Sequence, residues 1–262
     1  MARALPGLAE LRRRHLGEGV PASLALIRRL RDDARAGARA LAEELSARRA
    51  DLGQERRRVT RLWRLERELS ERGHACIAGL DEVGMGPLAG PVVAAAVVLP
   101  LGVSVLGLDD SKKIRPEARE SLEREIRRVA LGVALGIVEA EEIDRVNIYR
   151  AGQLAMRRAL AGLAAAPDAV VVDGRRVPDL PCHQVAVVGG DARVASIAAA
   201  SVVAKVHRDA LMRELDRAYP GYGFGRHMGY STSQHFAALR KLGPSPIHRR
   251  SFAPVRDACR TP

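Results

Sequence analysis

The stretch from Cys76 to Pro100, CIAGLDEVGMGPLAGPVVAAAVVLP, constrains the fold more than any other part of the chain. Cys76 to Leu80 has the length and the boundaries of a buried strand. It runs into two adjacent carboxylates, Asp81 and Glu82. Neighbouring strand residues point to opposite faces, so a shared site asks the chain to turn here, and Gly84 and Gly86 follow to permit it. Gly90-Pro91 then restarts an apolar run, Val92 to Leu99. The expectation is a buried hairpin with paired acids at its glycine-rich rim.

The chain beyond it alternates helical and strand signals, as α/β domains do. A polar loop, Leu108 to Lys113, precedes a helix that begins near Pro116 and ends near Ala130. Residues 131–139 read as a strand, and 140–165 as one long helix. Three valines then form a buried strand that ends in Asp173-Gly174. An acid before glycine is often only a turn signal, but ligand sites of α/β sheets gather at the carboxyl ends of strands. His183 to Val188 is a further strand, Asp191 reads locally as a helix N-cap, and a helix follows from about Val194 to Tyr219. A last helix spans about Thr232 to Leu242.

Residues 1–72 differ from the rest. They contain no lysine and carry 18 arginines against 11 acids, close to +7. Pro21-Ala22-Ser23 reads as a helix start, with Leu24, Ile27 and Leu30 on one face, and Gly37 and Gly53 as breaks. Leu62, Leu65 and Leu69 have helical spacing, with Trp63 beside them. The expected organisation is a basic helical extension over 1–72 and a main domain over 73–262. The extension either touches a ligand or is a solvated helical face.

The net charge of +12 favours a polyanionic partner, nucleic acid first, although arginine-rich composition alone can produce it. Only four of the 43 basic residues are lysines: Lys112, Lys113, Lys205 and Lys241. Cys76, Cys182 and Cys259 form no CxxC pair, which argues against a disulfide framework or a zinc site. No apolar run approaches a membrane span and residues 1–20 lack a signal-peptide core, so a cytoplasmic protein is expected. Aromatic residues are scarce overall yet gather between Tyr219 and Phe252, among glycines and basic residues. Such a mixture suits stacking on a sugar or base, while Tyr222 and Phe224 read as core anchors.

The segment Asp81-Glu-Val-Gly-Met-Gly-Pro-Leu-Ala-Gly-Pro-Val-Val resembles the first motif of bacterial ribonuclease HII, the type 2 ribonuclease H. Asp110-Ser-Lys-Lys113, the helix segment with Ala198-Ala-Ala-Ser201 and Ala204-Lys205, and the tail Pro246 to Pro254 resemble further parts of that family. The resemblance covers roughly residues 73–255. Met85 departs from it, for the family carries arginine between these glycines.

The resemblance implies a ribonuclease H-like fold, a central mixed sheet flanked by helices. It implies an active site of Asp81, Glu82, Asp173 and Asp191. It also implies substrate contacts at Gly84, Met85, Gly86, Ser111, Lys112, Lys113, Lys205, Arg208 and Tyr230. The Gly84–Gly86 backbone would read the 2′-hydroxyl, and Tyr230 would stack on the adjoining deoxyribose. Four gathered acids raise each other's pKa, and a pair of divalent ions relieves this. Oxygen-only ligands point to Mg2+ or Mn2+. The implied activity is two-metal hydrolysis of the RNA strand of RNA–DNA hybrids, including single ribonucleotides in duplex DNA, by a monomer. Two alternatives stay open: ribonuclease HIII-like cleavage of longer hybrids only, and hybrid binding without catalysis.

Overall fold

The computed structural model describes residues 5–259. The chain divides into two compact units, Met1–Arg58 and Val59–Pro262. The division falls before residue 72 because Leu62, Trp63 and Leu69 are buried in the clusters of the second unit.

In the first unit, α1 (Leu8–Arg12) runs into a π-helical turn, Arg13–Gly17, followed by α2 (Leu24–Arg31) and α3 (Ala38–Leu62), which crosses the division. Ser23 caps α2 by accepting a hydrogen bond from the Leu26 N–H at 3.1 Å. Leu11, Ile27, Leu30, Leu41 and Leu45 form the core. Leu24 lies outside it and is exposed. Gly37 has a left-handed φ of 82° just before α3, whereas Gly53 lies within that helix and breaks nothing.

After the last turn of α3, the second unit continues with α4 (Arg64–Glu71) and is built on a five-stranded sheet. Its strands are β1 (Ile77–Val83), β2 (Val92–Val98), β3 (Gly132–Val138), β4 (Ala169–Asp173) and β5 (His183–Val187), in the order β3-β2-β1-β4-β5. The β3-β2-β1 pairs are antiparallel and the β1-β4-β5 pairs parallel, so the sheet is mixed.

Every residue of β2 is buried, because both faces of the sheet are covered. Val93, Ala95 and Val97 pack in one cluster with α8 (Ala195–Ala218) and with Leu122 and Ile126 of α5 (Pro116–Val129). Val92, Ala94, Ala96 and Val98 pack on the other face with Ala151, Ala155 and Ala159 of α7 (Ile148–Ala161). Small residues let α8 approach closely. A Cβ on Gly79 would collide with the backbone of Ser196, so glycine is required where β1 crosses that helix.

Residues 140–165 form two helices, not one. α6 (Ala140–Val146) ends at Asn147, whose φ of 72° breaks the helix and whose Oδ1 accepts from the Arg150 N–H at 3.0 Å to cap α7. α9 (Phe224–His227), α10 (Ser233–Leu242) and α11 (Ala253–Ala258) complete the unit. Tyr222 and Phe224 are buried and stacked at 5.0 Å, as core anchors.

Candidate active site

β1 does not turn between Asp81 and Glu82. It pairs with β2 through both, as far as Val83 opposite Val93, and the chain turns only afterwards. The two carboxylates therefore leave opposite faces. Leu80 packs on the α7 side and Val83 on the α8 side, which places Asp81 towards α8 and Glu82 towards α7. They can still serve one site because β1 outruns its parallel neighbour. Leu80 lies opposite Val172, and β4 ends one residue later at Asp173. Beyond that point no strand separates the faces on the β4 side.

Asp81 is buried, and its Oδ1 accepts from the Glu82 N–H at 2.8 Å. Burial first, then Glu82 and Asp173, push its carboxyl well above the usual range, against a hydrogen bond from Ser201 of α8. Burial, followed by Asp173, raises Glu82 to about 7, while Lys112 counteracts. Asp173 Oδ1 accepts from the Gly190 N–H at 2.6 Å, which ties β4 to the 3-10 turn Gly190–Ala192. Asp191 sits on that turn and caps no helix. Burial, then Asp110 and Asp173, raises it too. The four acids act on one another electrostatically, so the fold gathers them at one end of the sheet.

Lys112 Nζ lies 4.0 Å from Asp191 Oδ2. Burial lowers its pKa, but Asp110, Asp191, Asp81 and Asp173 outweigh that and raise it. The lysine loop is held from below: buried Arg119 donates to the carbonyls of Ser111 at 2.9 Å and Ile114 at 2.8 Å. Ser111 itself is buried, with its Oγ 2.9 Å from that of Ser201. Lys112 and Lys113 remain exposed.

The expected substrate contacts thus fall into two groups. Gly86, Lys112, Lys113 and Tyr230 are exposed beside the acids or the glycine loop. Ser111, Lys205 and Arg208 turn inward. Lys205 Nζ binds Asp209 at 2.7 Å, and Asp209 also pairs with Arg119 at 3.3 Å. Arg208 is wholly buried and donates to the carbonyls of Pro91 at 3.0 Å, Met228 at 3.0 Å and Ala89 at 3.3 Å. It holds the glycine loop from beneath and presents no charge to solvent. Gly84 has a φ of +93°, and a Cβ there would meet the Arg208 side chain and the Pro91 carbonyl.

Sequence reasoning missed Arg249. It is fully buried and donates to the carbonyls of Gly84 at 2.6 Å, Met85 at 3.1 Å and Gly90 at 2.9 Å. Only its place in the tail motif hinted at it. Met85 lies against Gly152 of α7 and packs partly buried in that cluster, so its side chain lies on the scaffold. Tyr230 stands next to Gly86, its carbonyl close to His235 Nδ1 at 2.9 Å.

The donor set at the sheet end is all oxygen, which suits Mg2+ or Mn2+ rather than zinc. The raised carboxyls fit such a cation, whose charge would relieve their repulsion. Among the described residues no three His, Cys, Asp or Glu side chains already form a metal cage. Mg2+ tolerates that openness, since it commonly takes one or two carboxylates and completes its shell with water and substrate phosphate.

The sequence profile of the family described as Ribonuclease HII matches residues 78–255. A ribonuclease HII of Myxococcus xanthus is 53% identical over 256 residues, 97% of this chain and 87% of its own length. The ribonuclease H2 of Pyrococcus horikoshii OT3 superimposes with a TM-score of 0.61 at 25% identity, over 70% of this chain and 96% of that one. A ribonuclease HIII, Bst-RNase HIII in complex with Mn2+, shares the fold at a TM-score of 0.55 and 21% identity, over 71% of this chain and 70% of its own. Sequence profile, relatives and fold agree: the chain belongs to the ribonuclease HII family and is a ribonuclease H.

Proposed function

We propose that this ribonuclease H hydrolyses the RNA strand of RNA–DNA hybrids and also cuts at single ribonucleotides in duplex DNA, as a cytoplasmic monomer that removes ribonucleotides left by replication. The observation that carries this reading is the gathering of Asp81, Glu82, Asp173 and Asp191 at one sheet end, where burial and neighbouring acids raise the carboxyls of Asp81, Glu82 and Asp191. These four would hold two divalent ions, Mg2+ or Mn2+. When bound, such a pair supplies an activated water and shields charge on the leaving 3′-oxygen, which yields 5′-phosphate and 3′-hydroxyl ends.

The remaining roles belong to the protein's own groups. The Gly84–Gly86 backbone faces the 2′-hydroxyl, the group that separates RNA from DNA. Arg208 and Arg249 hold the loop that carries it. Lys112 and Lys113 meet backbone phosphates as point charges. Tyr230 offers an exposed ring next to Gly86 for stacking on the adjoining sugar. The arginines of residues 1–58 add sequence-independent affinity for the phosphate backbone.

The test is cleavage of a duplex bearing one ribonucleotide beside a duplex bearing several, each with Mg2+ or Mn2+. Cutting of both is expected. Cutting of the longer hybrid alone would assign the narrower, ribonuclease HIII-like specificity, and binding without cutting would overturn catalysis. Removal of residues 1–58 should weaken binding and flatten its salt dependence.

A further inference from the structure

The opposite end of the sheet holds a second concave site, outside the nuclease machinery. A cleft of about 300 Å³ opens where β1 begins, β2 ends and β3 begins, and Trp63, Glu66, Cys76, Val98, Leu131 and Leu163 are among the residues lining it. Its volume lies at the lower end of the small-ligand range. Its walls are mostly apolar, and Leu131 is exposed at 74%.

One carboxylate stands in that lining, together with His74, whose Nδ1 lies 3.6 Å from Asp168. Glu66, on α4, is only 1% exposed. Its Oε1 is fully used: it accepts from the Ser196 backbone N–H at 2.9 Å and from Ser196 Oγ at 2.9 Å. Val194, at the N-cap of α8, supplies no side-chain cap, so Glu66 caps that helix from outside. The helix start accounts for one oxygen only. Glu66 Oε2 is buried and has no hydrogen-bond partner among the described residues. A buried, unsatisfied carboxylate oxygen is costly in any fold and asks for a donor. No lysine or arginine lines the cleft to supply one, and neither Ser70 nor His74, which also line it, bonds to this oxygen.

We propose that this cleft binds a small amphipathic cation, an ammonium group on a compact apolar body, with Glu66 Oε2 receiving the ammonium and the apolar walls receiving the body. Charge complementarity selects the class: an acidic group with a free buried oxygen, and with no lysine or arginine beside it, lines a mostly apolar cleft of fitting volume. A bound ammonium would pair with the same carboxylate that secures the start of α8. That helix also carries Ser201, the hydrogen-bond partner of Asp81. The inference does not depend on the nuclease reading.

The probe is 2-phenylethylamine, with 2-phenylethanol as its uncharged counterpart, titrated calorimetrically into the full-length protein. Saturable binding of the amine in the millimolar range or tighter is expected, with the alcohol at least tenfold weaker. Glu66→Gln keeps a carbonyl to cap α8 but places a donor where the free oxygen was, and should weaken the amine by tenfold or more. Ala164→Trp, at an exposed position of the rim, should block entry without touching Glu66. Bound amine should also slow alkylation of Cys76 relative to Cys259, as read by peptide mass spectrometry. Equal binding of amine and alcohol, undiminished binding in either variant, or no saturable binding would overturn the assignment; the last would mean that water alone satisfies Glu66.

Discussion

Two clusters of like charge lie near one another and are treated in opposite ways. Asp81, Glu82, Asp173 and Asp191 gather at the sheet end, and three of them have carboxyls raised by burial and by neighbouring acids. Arg208 and Arg249 lie beneath the glycine loop, both with no exposed surface. Burial lowers each guanidinium, and Arg208 further lowers Arg249. Yet the arginine donors are met by carbonyls of residues 84 to 91 and of Met228. The acids receive few donors from the protein, mainly single backbone N–H groups and Ser201. Charge is left unresolved at the sheet end, where the proposed function brings a cation and a phosphate, and is satisfied by dipoles beneath the glycine loop.

Asp81→Asn or Asp173→Asn should break the acid side of this contrast. Loss of several kcal/mol of catalysis, about a thousandfold or more in rate, is expected. Hybrid binding should survive, and Tm without metal should rise in Asp81→Asn because a repelling charge is gone. Retained activity with an unchanged Tm would contradict the site.

Arg249→Met breaks the other side. It leaves the carbonyls of Gly84, Met85 and Gly90 without this donor. A destabilisation of about 3 kcal/mol or more is expected, or roughly 6–12 °C in Tm. Here stability falls before chemistry does, the reverse of the aspartate variants. Thermal unfolding and activity at low temperature separate the two.

A third cluster sharpens the comparison through pH. His235 and His248 are buried with their Nε2 atoms 3.0 Å apart, and burial, then His235, lowers His248 to about 4. The unfolded chain takes up this proton near the ordinary value of 6.5, whereas the folded chain takes it up only near 4. Stability is therefore full above 6.5 and is lost as pH falls towards 4, by on the order of 2–3 kcal/mol for this residue. His248→Gln should flatten that limb in denaturant unfolding at a series of pH values. An unchanged limb would assign the acid sensitivity elsewhere.

Met85→Arg tests the smallest effect. The added guanidinium would have to leave the packing against Gly152 to reach the substrate. Binding of a single-ribonucleotide duplex should tighten by about tenfold at most. An equal gain on longer hybrids would mean that position 85 does not tune junction recognition.

Much of this was legible beforehand. The strands and helices of the second unit fall close to where apolar runs, Pro116 and Thr232 placed them, because these signals are local. The break at Asn147 was not, since a left-handed asparagine in an amphipathic stretch leaves no clear mark in the pattern. The two acids at the end of β1 were visible as a pair, but the chain was expected to turn between them.

The sequence by itself determined the family and the mixed α/β character, and it singled out the four acids as candidates, because motif, periodicity and charge are properties of short stretches. Tertiary structure alone decided that Asp81 and Glu82 can reach one site from opposite faces, since that depends on β4 stopping short of β1. It also decided which cations face outward. Lys112 and Arg208 look alike as basic residues in matching motifs, yet one is exposed beside Asp191 and the other is enclosed by carbonyls. Burial and partner geometry arise only when distant segments meet, and they leave a charge either facing solvent or pinning the loop.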